Sequence, residues 1–190
     1  MKTLQNSSHF TLEVKQSKFI AHLIPYRDFT STLTLLKAEH PKARHFVTAY
    51  RYLNEFQQIV EHSSDDGEPK GTSGKPSLMV LQGADLVNVA VIVVRYFGGT
   101  KLGTGGLVRA YSDAVNASLG EARLIEYREL QLLSFEAEYS DVRLIDYEIT
   151  ACEIETLEKR FESKAIYRVQ APKEVLLGFI KRLERVIKLF

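Results

Sequence analysis

The longest uninterrupted apolar run in the chain is Val89–Val94, and its setting predicts a strand over Val87–Tyr96. Continuous Val and Ile content of this kind marks a strand covered on both faces. A helical stripe follows. Leu107, Ala110, Tyr111, Ala114, Val115 and Ser118 recur at i, i+3, i+4, i+7, i+8 and i+11, and Gly120 stands where a C-terminal cap belongs. Upstream, His9–Val14 and Lys18–Ile24 read as strands. Asp28 opens a helix to about His40, with Phe29, Leu33 and Leu36 on one face and Pro41 ending it. Its threonines leave packing, not propensity, to hold it. His45–Tyr52 and Phe56–His62 read as two further strands, the second from a weak period-two alternation. A short helix over Pro76–Gln82 would turn Leu78, Met79 and Leu81 inward.

Glycine divides the chain. Nine of the 11 glycines fall between Gly67 and Gly106, and Pro69 keeps Ser63–Lys75 out of regular structure. Beyond Gly120 only Gly178 remains. There, Arg123–Glu138 reads as extended with a domain junction inside it, and Asp141–Cys152 as a helix carrying Val142, Ile145 and Ile149. Glu155–Glu162 and Ala165–Ala171 pair around Ser163-Lys164. Pro172 begins a helix whose stripe runs through Val175, Leu176, Phe179, Ile180, Leu183, Val186 and Ile187. This β-α-β-β-α order is most of a ferredoxin-like unit, its last strand missing or reduced to Lys188–Phe190. The expectation is an α+β protein of two domains, 1–128 and 129–190.

Composition narrows the function classes. The chain has 190 residues, with 25 Lys and Arg against 24 Asp and Glu, a net charge of +1. It is no bulk polycation, so any nucleic-acid contact comes from a local patch. Cys152 is the single cysteine, which excludes an internal disulfide and a Cys-rich zinc site and points to a reducing compartment. The N-terminus lacks the apolar core of a signal peptide, and the longest apolar run is far short of a membrane span. The expected setting is therefore cytoplasmic. His9, His22, His40, His45 and His62 make no paired ligand spacing, so no metal or cofactor is expected.

One segment is suited to chemistry. Arg95–Ala114 joins a buried strand, a glycine-rich stretch and a helix. Gly98, Gly99, Gly103, Gly105 and Gly106 let backbone amides approach a ligand, and a helix N-terminus adds unpaired donors with partial positive charge. No Asp or Glu occurs between Asp85 and Asp113, whereas Arg95, Lys101 and Arg109 do. The pattern suits phosphate or another anion, although neither the Walker spacing nor G-x-G-x-x-G is present. The plainer alternative is a tight strand-to-helix crossover. A second segment carries Asp65, Asp66, Glu68, Lys70 and Lys75. Its acids have the residue types of a divalent-cation site or of catalytic bases, and equally those of an ordinary solvated turn. No catalytic residue is assigned.

Four segments then carry a resemblance: SKFIAHL (Ser17–Leu23), ARHFVTAYR (Ala43–Arg51), SDDGEPKGTSGKP (Ser64–Pro76) and VIVVRYFGGTKLGTGGLVRAYSDA (Val91–Ala114). In order and spacing they resemble the IMPACT/YigZ family, clearly over Ser17–Leu119 and in outline beyond. The resemblance implies an N-terminal α/β sandwich like the second domain of a small-subunit ribosomal protein and a ferredoxin-like C-terminal domain. Eukaryotic members of that family regulate translation by competing for an activator of a starvation-responsive kinase. The reading is a translation-linked binding protein whose partner is RNA, the ribosome or a regulatory protein, with no membrane partner. In it Arg95, Lys101 and Arg109 meet phosphate. The alternative is an enzyme acting on a phosphorylated small molecule or peptide, using the same stretch as its phosphate site.

Overall fold

The run Val89–Val94 is buried along its whole length, in the middle of a sheet covered on both faces. The structure, a computed structural model, describes residues Met1–Phe190 and divides into two units, Met1–Tyr127 and Arg128–Phe190. In the first, β1 (Lys2–Leu4), β2 (Ser8–Val14) and β3 (Ser17–Pro25) lead through a single 3-10 turn into α1 (Phe29–Glu39). Next come β4 (His45–Leu53), β5 (Ile59–Ser64), α2 (Gly74–Gly83), β6 (Val89–Tyr96), α3 (Gly103–Gly120) and β7 (Leu124–Glu126). Five strands form an antiparallel sheet in the order β2-β3-β6-β4-β5, and β1 pairs separately with β7.

Alternation along β6 splits its side chains between two cores. Val89, Val91 and Val93 join Phe19, Val47 and Ala49 beneath Leu81 of α2 and Leu107, Ala110, Tyr111, Ala114 and Val115 of α3. Ala90, Ile92 and Val94 face the other way, against Leu36 of α1. The helical stripe read from the sequence is thus the buried face of α3, residue for residue.

The second unit runs β8 (Leu130–Ala137), α4 (Val142–Ala151), β9 (Glu155–Phe161), β10 (Ala165–Pro172), α5 (Lys173–Leu183) and β11 (Ile187–Leu189). Its sheet is antiparallel, ordered β11-β8-β10-β9. One face buries Phe135, Tyr167 and Val169 under Ile145, Ile149, Phe179 and Leu183. The whole chain is α+β. No helix is long and apolar enough to cross a membrane.

Four local expectations change. Phe56 is 72% exposed in the turn between β4 and β5. There the Asn54 side-chain oxygen accepts from the amides of Phe56 and Gln58 at 2.9 Å each, closing a tight turn where a strand was expected. Met79 faces solvent, because α2 turns only its Pro76, Ser77 and Leu81 side inward. Asp28 precedes α1 but makes no side-chain cap. The last strand, expected as missing or reduced to Lys188–Phe190, is present one residue earlier, and Ile187 leaves the α5 stripe to pair with Ala137 at the sheet edge.

Two features of the first unit give predictions. An added Cβ at Gly98 would lie 2.1 Å from the Gln16 carbonyl carbon, whereas one at Gly105, inside α3, meets nothing within 4 Å. Gly98→Ala should cost about 3 kcal/mol, at the top of the range for overpacking. Gly105→Ala should be neutral or stabilise by up to about 1 kcal/mol. Urea unfolding of both variants checks this, and equal effects would refute it. The second feature is His22, whose Nε2 is buried without a partner and whose ring stacks on that of His9 at 5.9 Å. Burial first, then the charges of His9 and His40, lower its pKa from 6.5 to about 4. The native imidazole stays neutral where the unfolded chain takes up a proton. Stability should therefore fall as pH drops from about 6.5 towards 4 and gain no further His22 dependence below that. His22→Leu should flatten the melting temperature across that window relative to the parent.

Candidate anion site

The Ser63–Lys75 segment is held by its own acids. Asp65 accepts from the amides of Gly71 (2.7 Å), Gly74 (2.8 Å) and Ser73 (3.2 Å), and from the Ser73 hydroxyl (2.7 Å). Burial pushes its carboxyl up, and these hydrogen bonds more than offset that, holding it below the usual carboxylate range. One Asp66 carboxylate oxygen accepts from the Phe46 amide at 2.6 Å. Asp65 and Asp66 therefore bind amides of their own chain, and the residues considered as a cation pair are turn-forming. Positive φ at Asp66 (45°) and Gly67 (85°) reverses the backbone, and Glu68, next along, is 8% exposed.

Glu68 meets two residues from the neighbouring elements. The Arg95 guanidinium, at the end of β6, and the Tyr111 hydroxyl of α3, at 2.8 Å, both donate to Glu68 Oε1. Burial, and then the Glu68 charge, drives the Tyr111 phenol far above its ordinary range. His45 Nε2 stands 3.8 Å from the same oxygen. Its Nδ1 lies 2.7 Å from the Asp66 carbonyl oxygen, which can only accept, so Nδ1 carries the proton. Nε2 of the neutral ring is then the free lone pair. The Arg95 guanidinium also lies over the rings of Phe19 (5.3 Å) and Phe97 (5.9 Å). Arg95 is 5% exposed, and its Nε is buried without a partner. The base expected to meet an external phosphate directs its charge to Glu68 instead.

Above this cluster opens a cavity of about 440 Å³, within the ~300–1,000 Å³ range of small-molecule sites. Of the residues singled out from sequence, Glu68, Arg95, Lys101 and Gly103 line it. Asp65, Asp66, Lys70, Lys75, Gly98, Gly99, Gly105, Gly106 and Arg109 do not. Gly103, Gly105 and Gly106 lie within α3, not in a loop, and Lys75 lies in α2. Only Phe97–Leu102 connects β6 to α3, and Leu102 at the helix N-cap makes no side-chain bond to its amides. Phe97, from the Arg95–Ala114 segment, also lines the cavity, as do Arg44 and His45, which sequence reasoning did not place there. Their signal was weak: His45 begins a strand, Arg44 precedes it, and neither matches a ligand spacing. Tyr111 sat on a helical core stripe, where its hydroxyl was the one polar hint.

The cluster predicts a stability order. Glu68→Gln strips Arg95 of its counter-ion in a buried setting and should cost about 3–5 kcal/mol. Tyr111→Phe removes one hydrogen bond to a charged acceptor and should cost about 1.5–3 kcal/mol. Lys101→Ala, exposed and unpaired, should stay within about 0.5 kcal/mol. Denaturant unfolding ranks the three, and a Lys101 effect as large as that of Glu68 would contradict the assignment.

Comparison with known proteins gives the chain its family. The Impact N-terminal domain matches residues 15–119, which contain the whole cavity lining. An IMPACT family member of Haemophilus influenzae is 38% identical over 160 residues, covering 81% of this chain and 76% of its own. IMPACT family member YigZ of Escherichia coli is 34% identical over 176 residues, covering 90% and 85%. A crystal structure titled only as a hypothetical protein superposes with a TM-score of 0.69 at 30% identity, covering 100% of this chain and 95% of that one. With its Arg95, Lys101 and glycine-rich α3 entry inside the matched stretch, the chain belongs to the IMPACT family.

Proposed function

We propose that the chain is a translation-linked regulatory protein whose N-terminal unit contacts an RNA strand through the basic rim of the α3 cavity. The observation that carries this is a set of uncommitted cations. Arg44, Lys101 and Arg109 are exposed, and none enters an ion pair of the first unit. Lys70 and Lys75 are likewise exposed and unpaired. Arg44 and Lys101 line the cavity at a helix start whose amides no side chain caps, and Arg109 follows within that helix; a negative phosphate is favourable there. The translation link is supported by the family and by what its resemblance implies. With a net charge of +1, such binding is local and salt-sensitive. The proposal includes residence in the cytoplasm. It also includes two independently folding domains, 1–128 and 129–190, the first like the second domain of a small-subunit ribosomal protein and the second ferredoxin-like.

The enzyme reading has one observation in its favour: His45 Nε2 and the Glu68 carboxylate stand side by side at the cavity, an arrangement able to move a proton. Polymer length separates the two readings. Binding to single-stranded RNA should be measurable at low salt and weaken with a log–log slope near −2 for about three phosphate contacts. Lys101→Ala with Arg109→Ala should flatten that slope by about one unit or more. Fluorescence anisotropy over several RNA lengths and a salt series measures this. No binding at low salt would end the RNA reading and leave a regulatory protein as the partner. Affinity for small phosphates without length dependence would favour the enzyme.

A further inference from the structure

We propose that the cavity takes the terminal phosphate of a nucleoside, either at the phosphorylated 5′ end of an RNA strand or on a free nucleoside monophosphate. This deepens the RNA reading, and its strand-end form rests on that reading.

Charge is the first argument. The lining contains three cations, Arg44, Arg95 and Lys101, against one carboxylate, Glu68, which Arg95 and Tyr111 already engage. The first amides of the 18-residue helix α3 add a partial positive charge with no capping side chain in front of them. A phosphodiester inside a strand carries one negative charge. A terminal phosphate carries close to two at pH 7, its second pKa being about 6, and the surplus in the lining suits the latter.

An unmet donor is the second, independent argument. Arg95 is 5% exposed and lines the cavity, and its Nε is buried with no acceptor. A buried donor without a partner carries a desolvation cost that an incoming oxygen relieves.

The walls supply the nucleoside specificity. Phe97 is 39% exposed on the lining, and the Arg44 guanidinium lies 5.7 Å from its ring centre. A base can stack on such a ring. Leu102 and Leu107 make the adjoining surface apolar. The Glu68–Arg95 pair lies below, so the cavity favours a chain end over a strand running through.

The test uses the full chain. Two 3′-labelled 12-nucleotide RNAs, one with a 5′-phosphate and one with a 5′-hydroxyl, are compared by anisotropy at low salt. Adenosine monophosphate, adenosine and inorganic phosphate are titrated by calorimetry. The 5′-phosphate should tighten RNA binding about tenfold, and the monophosphate should bind where adenosine does not. Arg44→Ala and Lys101→Ala should each erase most of that gain with an unchanged melting temperature. Phe97→Ala should weaken the monophosphate more than inorganic phosphate. Equal binding of the two RNAs, with no monophosphate binding, overturns the pocket and leaves the RNA reading standing. Monophosphate binding that needs Arg44 and Lys101, without RNA binding, upholds the pocket and ends the RNA reading. Binding of none of the probes overturns both.

Discussion

Burial of the Glu68 carboxylate is the constraint around which the first unit is arranged. An ionised carboxylate taken out of water needs partners on every side. Here they come from two distant points of the chain: Arg95 from the end of β6 and Tyr111 from α3. The Asp65–Gly67 turn exists to deliver it. Asp65 gathers the amides ahead of α2, Asp66 ties the turn to Phe46, and the left-handed backbone that follows drops Glu68 inward. Such a pair adds little net stability over an apolar filling, yet losing one partner is costly. Its effect is to fix the register of the loop on the sheet.

The fold was legible wherever a period ran long enough. The Val89–Val94 run and the α3 stripe carried their own assignment, because burial on two faces and burial on one stripe leave different patterns. The missed elements are short. β11 has three residues, and Val186 and Ile187 continue the apolar spacing of α5, so the pattern alone extended the helix through them. Phe56 joined a false strand because the surrounding alternation ignored what Asn54 does to the backbone.

The site was legible by residue type and not by commitment. The absence of acids between Asp85 and Asp113 drew attention to Lys101 and Arg109, which are exposed and unpaired in the structure. Nothing in the sequence paired Arg95 with Glu68 across 27 positions, so an internal counter-ion looked like a free base. The converse holds for Arg44, which only the antiparallel pairing of β4 with β6, through His45 and Arg95, brings beside the α3 entry.

The glycines then separate into different tasks. Gly98 is required by contact with the β2–β3 turn, and Gly99 by a φ of 86°. Gly105 is required by neither, since a side chain there would meet only open space. A crossover alone would not keep glycine at that position, where alanine favours the helix. Nor would it leave Leu102 at an N-cap that serine or aspartate fills better. Local stability is therefore given up at two places in the first turn of α3, of which Leu102 lines the cavity and Gly105 does not. An acidic cap there would repel an anion. That departure from good helix chemistry suits the anion-accepting entry proposed above.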